Sequence, residues 1–180
     1  MSIHYQLHPN SAQLLEAQAH LNTLPNAKRL MTPINLAHDY CVAVALDGEQ
    51  VIGVATIKTL TQPTIGEIGH LYVLPEYQGR GIAKCLTQMR IDYAREQGLS
   101  LLYAVIKPEN LASSQNLMKL GFEHFGRFSN LRNSGLCFDW YYLALSHELD
   151  TLAVMSSLTP LVKVSHTESS LFSSQSVPRL

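Results

Sequence analysis

Charge is scarce in this chain of 180 residues. Charged side chains make up 15% of it, and 13 Lys plus Arg nearly cancel 14 Asp plus Glu, for a net charge of −1. Without a basic excess, no nucleic-acid partner is expected. Long apolar runs are missing too. The longest, such as Trp140 to Leu145, fall far short of the ~20 residues a membrane helix needs, so no membrane partner is expected. Cysteine is rare: Cys41, Cys85 and Cys137 are odd in number, far apart and flanked by apolar residues. They read as reduced, buried thiols rather than a disulfide framework. The eight histidines show no metal-ligand spacing, so no metal is expected. Met1 to Tyr5 lacks the basic region and apolar stretch of a signal peptide, which makes the cytoplasm the expected location.

What is present is globular. Hydrophobic residues make up 46%, enough to build one core in a chain of single-domain length. Ile3 to Leu7 alternates and reads as a strand. Ser11 is the expected cap of a helix carrying Leu14, Leu15, Ala17 and Leu21. Pro25 and Pro33 break the next stretch into short helical pieces up to about Leu36. Tyr40 to Leu46 and Val51 to Leu60 flank Asp47-Gly48, a hairpin signal. Glu67 to Leu74 is a further strand, and Gly79 to Gly98 a helix with Ile82, Leu86, Met89 and Tyr93 on one face. A short apolar strand, Leu101 to Ile106, precedes a helix from Asn110 to Leu120, and strands come next around Phe122 to Phe128 and Leu136 to Leu145. The order gives a mixed α/β sheet with one βαβ unit in the middle. Residues 1–148 are expected to form the domain. Residues 149–180 are expected as a Ser-rich, weakly structured extension, apart from a helical stretch at Leu149 to Leu158 and a short extended piece at Leu161 to Val164.

The segment Val73-Leu74-Pro75-Glu76-Tyr77-Gln78-Gly79-Arg80-Gly81-Ile82-Ala83 carries the chemistry. A strand ends, a turn of small residues comes after it and a helix begins. The first amides of a helix have no intrahelical partner and sit at the positive end of its dipole, so they form an anion site. Gly79 and Gly81 let the main chain approach a phosphate, Ala83 keeps the first turn slim, and Arg80 is placed to add a contact from the side. There is no Gly-x-Gly-x-x-Gly and no Gly-Lys-Ser/Thr, which argues against dinucleotide and Walker-type loops.

Gln78-Gly79-Arg80-Gly81-Ile82-Ala83 matches the Gln/Arg-x-x-Gly-x-Gly/Ala signature of the GCN5-related N-acetyltransferases, and Leu71 to Glu76 looks like the strand end that precedes it there. Asn110-Leu111-Ala112-Ser113 through Lys119-Leu120-Gly121-Phe122 resembles a second motif of that family, at its spacing. The resemblance covers about Tyr40 to Leu145. It implies the GNAT fold, a mostly antiparallel central sheet flanked by helices in which strands 4 and 5 splay apart, and acetyl-CoA as co-substrate. It implies that the main chain of Leu71, Tyr72 and Val73 pairs with the pantetheine arm. Gln78, Gly79, Arg80, Gly81, Ile82 and Ala83 would form the pyrophosphate loop, and Asn110 and Ser113 would meet the arm from the other side.

For catalysis, Glu67 matches the glutamate that acts as general base in the histone-modifying members. Strand alternation puts it on the face of Leu71 and Val73, with His70, the second candidate base, on the opposite face. Many members carry a tyrosine acid where this chain has Leu117. Ser113 instead resembles a serine near the sulfur in the ribosomal-protein N-terminal acetyltransferase branch, and Gly135 to Trp140 also resembles that branch, although its acidic residue after the phosphate loop is missing. Asp139, Trp140, Tyr141 and Tyr142 are candidates to border the acceptor amine, and the late strands are candidates for pairing in a homodimer. The reading is an N-acetyltransferase acting on a small-molecule amine or a protein N-terminal amine. The alternatives are an acyl-CoA-binding or sensing domain without turnover, motivated by Leu117, and a structural subunit, motivated by the tail.

Overall fold

The computed structural model describes residues 2–25, 32–129, 136–159 and 162–163. The Ser-rich stretch after residue 163 lies outside the described residues. Eight strands form one sheet in the order β1-β2-β3-β4-β5-β7-β6-β8: β1 Ile3–Leu7, β2 Cys41–Asp47, β3 Gln50–Ile57, β4 Ile65–Val73, β5 Leu101–Ile106, β6 Glu123–Ser129, β7 Cys137–Ala144 and β8 Val162–Lys163. Among these strands only β4 and β5 run parallel, joined across α2 (Ile82–Glu96); the other neighbours are antiparallel. The α/β class, the strand order along the chain and the central βαβ unit are as the sequence implies.

Local chemistry sets the element ends. Helix α1 (Ser11–Thr23) is capped by Asn10 rather than Ser11: the Asn10 side chain accepts from the Gln13 amide, and the Gln13 side chain accepts from the Asn10 amide. This reciprocal box satisfies two orphan donors, and a hydroxyl one residue later cannot reproduce it. The β2–β3 hairpin closes with Asp47 opposite Gln50 and Gly48 at φ 61, a backbone angle that Gly adopts without strain.

Two layers cover the sheet. On one face α2 packs Ile82, Leu86, Ile91 and Ala94 against Ala43, Ala55, Ile57 and Ile68. On the other, Ala17 and Leu21 of α1 pack on Val42, Val44 and Val54. Helix α4 (Thr151–Leu158) extends that second layer. Its Met155 is fully buried among Ile65, Leu101, Tyr103, Phe128 and Trp140. The packed body therefore runs past residue 148, because α4 turns Val154, Met155 and Leu158 onto an aromatic sheet face. The thiols also differ from expectation. Cys41 is buried, with its pKa pushed up to about 12 by burial, whereas Cys85 is exposed and Cys137 intermediate. Among the late strands, β7 is paired on both sides, and β6 meets β8 at Phe128 and Ser129.

Candidate active site

The sheet opens at its centre. Strands β4 and β5 pair only from Ile65 to Glu67 against Leu101 to Tyr103; beyond that, β5 continues its pairing with β7, and β4 with β3. Two clefts meet in the opening. One, of about 590 Å³, runs along Leu71, Tyr72 and Val73 to Gly79, Gly81, Ile82 and Ala83, with the start of α3 (Leu111–Lys119) opposite. The other, of about 370 Å³, passes His70, Arg90, Ala104, Lys107 and Leu117. Leu71, Asn110 and Ser113 line both and form the junction.

The first cleft ends in the loop that reads as an anion cradle. Gly79 and Gly81 lie at φ 76 and 80, and a Cβ on either would meet nothing within 4 Å, so the hollow before α2 is open. Gly81 is the N-cap and offers no side-chain acceptor, which leaves the first amides of α2 available. Gln78 donates from Nε2 to the Val73 carbonyl (2.9 Å) and pins the loop to the strand end. Arg80 is turned away. Its guanidinium donates to the Glu76 carbonyl (3.0 Å), lies 5.1 Å from the centre of the Tyr77 ring and is not among the lining residues. Lys84 and Lys119 line the cleft and supply its positive charge. Lys84 sits one turn beyond the glycines by helix geometry alone, a signal that the spacing to Gly81 could have given. The open hollow, the orphan amides and the two lysines together fit a coenzyme pyrophosphate.

The junction differs from strand alternation. Thr56 pairs with Gly69 and Val54 with Tyr72, so His70 and Leu71 share the single place opposite Ala55. This is a β-bulge, with His70 at φ 47. One extra residue reverses the side-chain parity. Leu71 and Val73 pack towards α2, whereas Tyr72 packs with the α1 layer, and the register carries Glu67 to the Tyr72 side. Glu67 therefore does not share the face of Leu71 and Val73.

Glu67 is also engaged. Lys58 donates to its Oε1, and the Tyr103 hydroxyl reaches its Oε2 at 3.4 Å. The Lys58 stem crosses Gly69, where a Cβ would come within 2.5 Å of Lys58 Cε. The pair is partly exposed, 36% and 24% for the two side chains, so its worth to stability is under about 1 kcal/mol. His70 is half-buried. Burial, and next the Lys58 charge, hold its imidazole below the usual pKa, against the opposing pull of Asp39 and Glu67. Asp39 goes the other way: burial raises its pKa, although Thr56 favours the charged form. Thr56 comes near without closing a bond of full geometry, since Asp39 Oδ2 and Thr56 Oγ1 are both buried and unpartnered.

At the base of α3, Asn110 is the N-cap and its side chain accepts from the Ser113 amide (3.3 Å). Ser113 is thus capped rather than capping, which leaves its hydroxyl at the junction. Leu117 is buried at 3% exposure on the wall of the second cleft, where its side chain has no proton to donate. Asp139 is committed elsewhere. Arg127 holds both its oxygens at 2.8 Å and His124 lies at 3.3 Å, so its carboxyl stays below the usual range. Neither cleft is lined by it. Trp140 stacks on Tyr103 at 5.6 Å, and the Tyr142 hydroxyl donates to Glu123. Among the described residues no His, Cys, Asp or Glu cluster could hold a metal, and no helix is long and apolar enough to cross a membrane.

Comparison with known proteins agrees with this geometry. The profile of the acetyltransferase (GNAT) family matches residues 12–122. N-acetyltransferase 8F1 of Mus musculus is 30% identical over 99 residues, which cover 51% of this chain and 43% of that protein. Mycothiol acetyltransferase of Rhodococcus opacus is 33% identical over 64 residues, 36% of this chain and 21% of that protein. The matched region is thus less than half of either relative's length. Among solved structures, an N-acetyltransferase from Staphylococcus aureus superposes with a TM-score of 0.67 at 23% identity, covering 81% of this chain and 100% of that one. A Salmonella typhimurium putative acetyltransferase, determined with its cofactor acetyl-CoA, gives 0.67 at 18% identity, covering 82% and 96%. With a profile match over most of the chain, a sheet split between β4 and β5, and an uncapped glycine start to α2, this chain belongs to the GNAT acetyltransferase family.

Proposed function

We propose that the chain moves an acetyl group from acetyl-CoA to a primary amine, a small molecule or a protein N-terminus, by direct attack in a ternary complex. The observation that carries this reading is the junction of the two clefts at Leu71, Asn110 and Ser113. A coenzyme arm along the first cleft ends there, and an amine entering the second arrives at the same place. Acetyl-CoA supplies the activated acyl group. The amides from Gly79 to Ala83, with Lys84 and Lys119, hold its phosphates. The main chain of Leu71 to Val73, free of β5, pairs with its arm.

His70 is the general base in this reading. A neutral imidazole can accept the ammonium proton, and burial keeps His70 neutral. Glu67, already paired with Lys58, is the weaker candidate. Glu67→Gln is accordingly expected to lower kcat by less than about tenfold, measured at saturating amine. Ser113 is the polar group at the leaving sulfur. Ser113→Ala should slow transfer by about ten- to a hundredfold with an unchanged melting temperature, since the cap belongs to Asn110. A lower melting temperature with an unchanged rate per folded molecule would reduce Ser113 to a structural role.

The reading is tested by amine-dependent release of CoA thiol across a panel of small amines and N-terminal peptides. The competing reading, an acyl-CoA-binding or sensing domain, is motivated by the leucine at 117. It predicts acetyl-CoA binding with no thiol release on any amine.

A further inference from the structure

Among the described residues, Arg90 is the largest fully buried side chain that carries a charge, and nothing in the proposed chemistry uses it. It stands about two turns into α2, on the face against the sheet. Nη1 donates to the Thr56 carbonyl (3.0 Å) and the Gly69 carbonyl (3.2 Å), and Nη2 donates to Thr87 Oγ1 (2.8 Å). Thr56 and Gly69 form the last β3–β4 rung before the bulge. The Thr87 hydroxyl also accepts from Asn116 of α3 (2.9 Å) and donates to the carbonyl of Ala83, in the first turn of α2 (2.9 Å).

We infer that Arg90 is a positioning residue, whose guanidinium fixes the β4 bulge bearing His70 and ties it through Thr87 to the cradle helix and to α3. The inference rests on His70 acting as proposed only for its consequence in catalysis. The geometry stands without it.

Burying a guanidinium is costly, and an apolar side chain of similar volume would fill this space in a core at less cost. Among the described residues Arg90 has no carboxylate as a hydrogen-bond partner; its Nε is buried and unpartnered, and burial brings its pKa down to about 10, so it stays charged at neutral pH. What the charge obtains is a rigid planar fork that holds two carbonyls and a hydroxyl at once. The bulge requires such a hold. Positive φ is uncommon outside Gly, and no ladder rung forms at the bulged place, so His70 stays put only if its surroundings over-determine it. The Thr87 link then couples placement of the base to the helix that holds the phosphates.

The test compares wild type, Arg90→Lys and Thr87→Val. Lys keeps the charge but loses the fork, and Val keeps the volume but loses the hydroxyl; if Arg90→Lys fails to fold, Thr87→Val carries the test. Measured are acetyl-CoA affinity by calorimetry, kcat and KM for the amine, the pH–rate profile, and the titration of the His70 ring by NMR, assigned with His70→Asn. The groups facing the ring, Asp39, Lys58 and Glu67, and Lys107 across the cleft, are kept in every variant. Arg90→Lys is expected to lower kcat by about tenfold or more, with acetyl-CoA affinity within about threefold. The His70 titration and the acid limb of the profile should both move up towards ~6.5 as the ring gains water. Thr87→Val should move both the same way by less. A lower melting temperature with kcat, profile and ring titration all unchanged would make Arg90 only a core pin and overturn the inference. The ring titration needs no turnover. If His70→Asn leaves the rate intact, the base assignment fails, while a shifted ring in Arg90→Lys still establishes the positioning.

Discussion

Gly81→Asp is expected to remove measurable acetyl-CoA binding and leave a folded protein. Gly81 stands at φ 80 as the N-cap of α2, and a Cβ there meets nothing within 4 Å. The added Cβ therefore clashes with no protein atom. It costs about 1–2 kcal/mol of left-handed backbone strain, a loss of a few degrees in melting temperature. For the cofactor the same space is decisive. The new carboxylate enters the hollow that the phosphates require, competes for the first amides of α2, and adds like-charge repulsion at the positive end of the helix. The expected loss is at least about a hundredfold in affinity, near 3 kcal/mol. Gly81→Ala carries the strain without the charge and separates the two effects. It should melt no higher than the Asp variant, whose carboxylate can cap those amides, and retain much of the affinity. Calorimetry that finds near-wild-type affinity for Gly81→Asp would remove the pyrophosphate from this loop.

The strand–turn–helix that carries the candidate cradle could be read from the sequence because its physics is local: two glycines lie between a strand and a helix. The order of the elements could be read for a similar reason, since alternation in Ile3 to Leu7 and the Asp47-Gly48 turn act over a few residues. The face assignments in β4 could not. A single extra residue at His70 and Leu71 reverses which side chains share a face, and the bulge is set by pairing with β3, a partner distant in sequence. Gly69 carried a faint signal, because a glycine inside a strand often marks a bulge or a close approach. Here it marks both, with the Lys58 stem lying across it.

Arg90 was hidden for a different reason. The helical stripe drawn through Ile82, Leu86, Met89 and Tyr93 leaves Arg90 off the apolar face, whereas the structure buries Ile82, Leu86, Thr87, Arg90, Ile91 and Ala94. The buried face is rotated towards the two polar residues, and periodicity counts a charged side chain as solvated unless its partners are known. Two of those partners are backbone carbonyls, which no sequence pattern displays. The packing of α4 was missed similarly, since a short Ser-containing helix becomes part of the core only through the aromatic face it meets.

His70→Asn is expected to lower kcat by about 10²- to 10⁴-fold with little change in acetyl-CoA affinity. Asn suits the test because His70 lies at φ 47, where Asn is among the few residues tolerated without much strain. It also keeps a polar group in the second cleft. The pH dependence has a definite sign. Catalysis needs the neutral imidazole, so the rate rises with pH through the folded pKa of His70. Burial places that value below the usual one, and the acid limb of kcat/KM should therefore lie under ~6.5. Stability carries the same signature. The unfolded chain takes up a proton at His70 more readily than the native one, so the contribution of a neutral His70 is present above ~6.5 and is lost as pH falls through the folded pKa. His70→Asn removes that dependence, and thermal melts at pH 5 and pH 8 should differ less for the variant than for the wild type. If the acid limb persists unchanged in His70→Asn, the proton leaves by another route, through Glu67 once Lys58 is displaced or through solvent. The double variant Lys58→Met with His70→Asn then decides between these, because only the Glu67 route gains from losing Lys58.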